Sequence, residues 1–193
     1  MNLKLIFGII STVFAIVCFL PYFKDIFAKK TKPHIYSWLV WSILQSVGVV
    51  AIVRGGGHFG ALGLAVGALF CISIFFLSFK YGTKNITRFD TLCLIGSIAT
   101  IIVWLLQHNP TLSVILVTLI DFVAFLPTYR KGYVDPNSET VPTYLLSAIS
   151  NVFALLAIAS YSLVTSLYVS SLVVSNGIIV LILILRKKYL RPI

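Results

Sequence analysis

Charge is scarce in this chain, and acid is scarcer still. Of its 193 residues 10% are charged, with 5 Asp or Glu against 15 Lys or Arg, whereas 59% are apolar. A soluble domain carries about 25% charged and about 45–50% apolar residues, and no water-soluble core could hide this excess. Cys18, Cys71 and Cys93 are far apart and each is embedded in an apolar run, so they read as buried thiols and not as a disulfide framework. Long polar linkers and low-complexity tracts are missing, which leaves no room for a second, separately folding unit.

Enzyme signatures are missing too. The sequence has no paired carboxylates, no nucleophile elbow and no phosphate-cradling glycine loop, and Arg54-Gly-Gly-Gly reads as a flexible turn. His34, His58 and His108 fall in loops without carboxylate or cysteine neighbours at metal spacing, so neither a metal nor a cofactor is expected. The first apolar stretch follows Lys4 as in a signal peptide, but it runs too long and lacks a small-x-small cleavage site. It is expected to stay as the first helix.

What the chain does have is apolar runs. A helix needs about 20 mostly apolar residues to cross a bilayer, and seven continuous runs qualify: Leu5 to Phe23, Ile35 to Val53, Phe59 to Phe79, Thr91 to Gln107, Thr111 to Tyr129, Val141 to Tyr161 and Ser166 to Leu185. They are continuous and not alternating, which indicates helix over strand. The last division, near Ser162 to Thr165, has the weakest punctuation. A single helix over Val141 to Leu185 would nevertheless measure about 66 Å at 1.5 Å per residue, twice a bilayer, so it must divide.

The net charge of +10 is distributed by loop. Counting Lys24, Lys29, Lys30, Lys32, Lys80, Lys84, Arg88, Arg130, Lys131, Arg186, Lys187, Lys188 and Arg191 on one side leaves Lys4 and Arg54 on the other. By the positive-inside rule this predicts seven crossings, with the amino terminus outside and the carboxyl terminus in the cytoplasm. The bases then serve topology and anionic lipid headgroups, and nucleic acid is not an expected partner.

Polar residues inside the spans are the candidate site. Asp121 stands near the middle of the fifth run, where a charge costs about 2.5–3.5 kcal/mol on insertion scales. It is expected to face a cavity, within reach of Asn151 or Asn176, and to serve in proton coupling or cation binding; the alternative is an acid that only hydrogen-bonds a neighbouring helix. Trp38, Trp41 and Gln45 recur at helical spacing along the second run. Trp38 is expected to anchor at the interface, while Trp41 and Gln45 lie deeper, where they either line a solute path or pack. Tyr144, Ser147 and Asn151 form a similar row in the sixth run, and Asn151 is too deep to lack a partner.

Two segments match. Phe19-Leu20-Pro21-Tyr22-Phe23-Lys24 and Phe125-Leu126-Pro127-Thr128-Tyr129-Arg130 close the first and fifth runs 106 positions apart, and each precedes a loop ending in proline, Lys30-Thr31-Lys32-Pro33 and Glu139-Thr140-Val141-Pro142. They mark two three-helix units, 1–83 and 109–193, joined by a linker helix within 84–108. One inserted helix leaves both units the same way up. Pro21 and Pro127 each remove a backbone hydrogen bond one turn from a helix end, so each is expected to bend its helix, as a hinge or as a static kink.

With these motifs the chain resembles the PQ-loop superfamily, and its SWEET-like branch of three-plus-one-plus-three helices in particular. The glutamine after the proline in that motif is Tyr22 in one copy and Thr128 in the other. The resemblance implies an all-α bundle of seven transmembrane helices and a pocket asparagine at Asn176. The expected function is a plasma-membrane carrier or facilitator that moves a small polar solute, a sugar or similar metabolite, by alternating access. The contacts expected are Asp121, Asn151, Asn176, Trp41, Gln45 and Ser147, with Pro21 and Pro127 as hinges and a homodimer as the assembly. The rival is a non-transporting receptor, sensor or structural subunit of the same fold.

Overall fold

The computed structural model describes residues 3–106 and 109–189, and among these it contains helices and no strand. Gln107, where the fourth span is expected to end, His108 and Arg191 lie outside the described residues. In chain order the helices are α1 (Leu3–Val17), α2 (Phe19–Phe27), α3 (Ile35–Arg54), α4 (Leu62–Tyr81), α5 (Arg88–Leu106), α6 (Pro110–Val134), α7 (Val141–Ala157) and α8 (Leu163–Tyr189). Short 3₁₀ turns cover His58–Ala61 and Pro136–Ser138. Five segments are long and apolar enough to cross a bilayer: α1 with α2, α3, α4 with its preceding turn, α6 and α8. Helix α7 is equally apolar but has only 17 residues. Leu69, Phe76, Leu119 and Leu181 stand 57 to 67% exposed on the outside of the bundle, a distribution suited to lipid and costly in water.

Proline chemistry differs between the two matching helix ends. Pro21 has no N–H to offer the carbonyl of Val17, and the helix is interrupted at Cys18 alone, which keeps helical angles (φ −62°, ψ −30°) and still donates its amide to Phe14 at 2.9 Å. Helix α6 instead runs unbroken through Pro127. Beside Pro127 the carbonyl of Ala124 accepts the Ser37 hydroxyl from α3 at 2.8 Å, which ties the two helices together one residue from the Val123 carbonyl that the proline leaves without its amide partner.

The long apolar stretch after Val141 divides as expected, but at Ile158 to Ser162, a few residues earlier than the weak signal suggested. Ser162 and Thr165 cap α8 reciprocally: the Thr165 hydroxyl accepts the Ser162 amide at 2.9 Å, and the Ser162 hydroxyl accepts the Thr165 amide at 3.2 Å.

Packing follows a regular pattern. Helix α4 lies between α1 and α3, and α8 lies between α6 and α7; the two groups meet where α1 packs on α7 and α3 on α6. Helix α5 rests mainly on α6. One end of the bundle, here termed the basic end, gathers the loops after α2, α4 and α6 with the last turns of α8. There the Thr83 amide donates to Pro33 at 2.9 Å, the Lys32 amide to Ser138 at 3.3 Å, and Arg186 to the Tyr133 carbonyl at 2.9 Å. At the opposite end the Lys4 ammonium donates to the Leu156 carbonyl at 2.9 Å.

Candidate functional site

Between the two helix groups lies a small cavity of about 60 Å³. From α3 Trp41 and Gln45 reach it one helical turn apart, from α7 Ser147 and Asn151 do the same, and α8 supplies Asn176. Five of the six residues expected to contact solute thus meet on one surface. The chemistry there is mixed and incomplete. Asn151 and Asn176 each donate to the carbonyl one turn back, at 2.8 and 2.7 Å, and neither carboxamide oxygen has a partner among the described residues. The Trp41 indole N–H and the Thr143 hydroxyl are buried without partners. An unpaired buried polar group costs about 1–3 kcal/mol, so a surface with two free acceptors and two free donors is poised for a ligand carrying both. At about 10–15 Å³ per water the space holds a few waters and is contracted against the ~300–1,000 Å³ of typical small-molecule sites.

The cavity wall uses one close approach. A Cβ at position 67 would collide with the side-chain oxygen of Gln45, so Gly67 makes room for an amide supplied from α3. The Gln45 amide donates onward to Cys71 Sγ at 3.0 Å. Toward the basic end an aromatic stack closes the space: Trp38 and Trp41 rings meet edge to face at 5.0 Å, and Trp41 packs on Phe125 at 4.6 Å. Trp38 is therefore not an interfacial anchor. It is 3% exposed and donates to the Tyr22 hydroxyl at 3.3 Å, because the bundle turns this face of α3 inward.

Asp121 is not among the residues lining this cavity. It lies fully buried on α6, with neither carboxyl oxygen hydrogen-bonded, in the electrostatic reach of Tyr129, Tyr168 and Cys71. The Tyr168 hydroxyl is likewise buried and unpartnered. Asp121 faces the protein interior and not lipid, but behind the cavity and not on it.

The other four acids stand at or near the basic end. Thr140 donates to Asp25 at 2.8 Å, and since its single hydroxyl proton is spent there, Thr31 must donate to Thr140 across their 2.6 Å contact. These two threonines occupy matching places in the two loop motifs. Glu139 pairs with Lys131 and accepts the Tyr144 hydroxyl at 2.9 Å, while Lys131 also donates to the Lys32 carbonyl at 2.6 Å. Asp135 caps its own turn by accepting the Asn137 amide at 3.3 Å. The loops of the two groups are thereby latched together beneath the cavity.

Asp90 anchors a second cluster. Thr87 and Asp90 form a reciprocal cap at the start of α5, and Arg130 grips the carboxylate with Nη2 at 2.7 Å and Nε at 3.1 Å. Buried His34 stands 3.4 Å from the same carboxylate. Burial pushes Asp90 up, but Arg130 and the Thr87 bonds outweigh it and hold the carboxyl below its ordinary range. Burial lowers His34 to about 4 despite the nearby Asp90, with Lys131 and Arg130 adding to the lowering. His34 is the loop histidine whose partners the sequence concealed.

No family model matches the chain, and neither a curated protein nor a solved structure matches it.

Proposed function

We propose that this chain is a seven-span membrane carrier or facilitator of the SWEET-like kind, in which two parallel three-helix units, joined by α5, move a small polar solute through the central cavity by alternating access. The observation that carries this reading is the convergence of Trp41, Gln45, Ser147, Asn151 and Asn176 on one cavity with unpaired donors and acceptors. Three further features support it. The packing pattern maps onto itself when α1, α3 and α4 exchange with α6, α7 and α8. Thr31 and Thr140, at matching places in the two loop motifs, touch where an axis relating the units would pass. The latch closes one end of the cavity with few bonds, and an alternating-access cycle requires a closure that can open.

In this reading the basic end faces the cytoplasm and the protein sits in a plasma membrane. The unpaired carboxamide oxygens accept from solute hydroxyl or amine groups, while Trp41 and Thr143 donate. The test is counterflow of a panel of labelled polyols, sugars and amino acids in proteoliposomes. Asn176→Ala should lower exchange of the accepted solute about tenfold or more, the effect of removing one well-placed polar contact. If no solute in the panel exchanges while the same solutes stabilise the protein against heat, it is a receptor or sensor and not a carrier.

A further inference from the structure

A second concavity, at the basic end, is separate from the central cavity and borders the latch through Lys32 and Lys131. It measures about 580 Å³, inside the ~300–1,000 Å³ range of small-molecule sites. Three stretches converge on it: the loop after α2 with Lys29 and Lys32, the end of α4 and its loop with Lys80 and Lys84, and the end of α6 with Lys131. Asp135 is the one carboxylate lining it, and that side chain already accepts the Asn137 amide. Lys131 is matched by Glu139. Among the described residues no carboxylate lies within ion-pair distance of Lys29, Lys32, Lys80 or Lys84. Four uncompensated ammonium groups around one cleft repel one another, and an entering anion relieves that repulsion.

The cleft is also built with some rigidity. Lys29 holds a left-handed φ of +58° at the end of α2, a place where helices commonly put glycine, and the carbonyl of Asp25 fixes the turn by accepting the amides of Lys30 and Thr31 at 2.8 and 3.1 Å. The Thr83 hydroxyl accepts the Asn85 amide at 3.2 Å, which orders the opposite wall. Topology alone accounts for bases at a cytoplasmic end, but it does not require them to line one concave surface from three separate stretches of chain.

We infer that this cleft binds a phosphate group of two or more negative charges, presented by a lipid headgroup or by a soluble phosphorylated metabolite. Phe27, 57% exposed at the end of α2, packs edge to face at 5.8 Å on Tyr81 of the cleft lining, so apolar surface for a lipid chain adjoins the site. A ligand there spans the seam that Lys131 closes through the Lys32 carbonyl, so its binding holds the basic end shut. The inference does not depend on whether the central cavity transports.

The test uses the full chain. Inorganic pyrophosphate is titrated onto protein in phosphatidylcholine nanodiscs while the unfolding temperature is followed, and separate nanodiscs carry phosphatidic acid or, as a singly charged comparison, phosphatidylglycerol. Stabilisation by pyrophosphate identifies a soluble source; stabilisation by phosphatidic acid alone identifies the lipid. Lys32→Gln with Lys84→Gln should weaken the effective ligand about tenfold or more. Lys24→Gln with Lys188→Gln removes the same charge outside the cleft and should leave binding within about twofold. The inference is overturned by equal loss in both double variants, by equal stabilisation from phosphatidylglycerol, or by no stabilisation from either phosphate source.

Discussion

Asp121 stands fully buried without a donor to either oxygen, and its placement behind the solute surface separates two roles that a single pocket would merge. If it serves coupling, Asp121→Asn should retain solute exchange within about twofold, because the cavity lining is untouched, and lose pH-driven accumulation. Counterflow measured against pH-jump uptake in the same proteoliposomes decides this; unchanged accumulation reduces Asp121 to a packing residue. His34 gives a second expectation. Its ordinary value of 6.5 falls to about 4 in the fold, so the folded state binds fewer protons than the unfolded one between those values. Thermal stability should therefore be full above pH 6.5 and decline as pH falls toward 4, and His34→Gln should flatten that decline. Asp90, held low by Arg130, adds its own loss only at still lower pH. Thermal unfolding of wild type and His34→Gln from pH 7 to 4 reads the histidine, and extending the scan below pH 4 reads Asp90; equal slopes in wild type and variant between pH 6.5 and 4 refute the assignment. The cavity residues were legible beforehand because polar side chains repeated at helical spacing inside apolar spans must face one another. The His34–Asp90–Arg130 cluster was not, since Asp90 and Arg130 are 40 positions apart and meet only through packing. Its one local trace was the Thr87-x-x-Asp90 cap pattern.

At the scale of elements, seven spans were expected, and the described residues show five helical segments long and apolar enough to cross with α7 as a shorter apolar helix, while α5, which opens on Arg88 and Asp90, is not among them. Helix α6 continues past Tyr129 to Val134 at the basic end, and at the opposite end α8 begins at Leu163, where the reciprocal Ser162–Thr165 cap sets its start. The two prolines looked equivalent in sequence and are not equivalent in structure: the helical run is interrupted at Cys18 before Pro21 and continues through Pro127, a difference that the matching local sequences do not encode. Pro21→Ala should restore the bond to the Val17 carbonyl, make α1 and α2 one uninterrupted helix and raise stability by about 1 kcal/mol, roughly 2–4 °C for a chain of this size. Pro127→Ala should have a smaller effect. Differential scanning of both variants settles the comparison, and the reverse order would remove Pro21 as the place where the bundle gives. If that break is a hinge, Pro21→Ala should also slow exchange.

The whole molecule carries most of its positive charge at one end, and the bonds between loops there tie together segments that alternate along the chain. Reporter fusions at Lys30, Lys84 and Asn137 should read cytoplasmic, and fusions at Gly56 and Asn109 external. Finding Asn109 and Asn137 on the same side would remove α6 as a crossing. The gathering of most bases at one end was legible in the charge pattern; the pairing of α1 with α7 and of α3 with α6 was not, because nothing in an apolar face specifies which other apolar face it meets.

Helix α7 has a membrane-scale consequence. Its 17 residues rise about 26 Å, short of the roughly 30 Å hydrocarbon thickness that the longer helices match, and it presents Leu145, Val152 and Leu156 outward. If α7 crosses the bilayer as the proposed carrier requires, lipid beside it is expected to thin relative to lipid beside α4 and α8, giving an annulus of uneven depth. Short or disordered acyl chains should collect at that flank, and any motion that tilts α7 against α1 will be felt first as a change in bilayer shape.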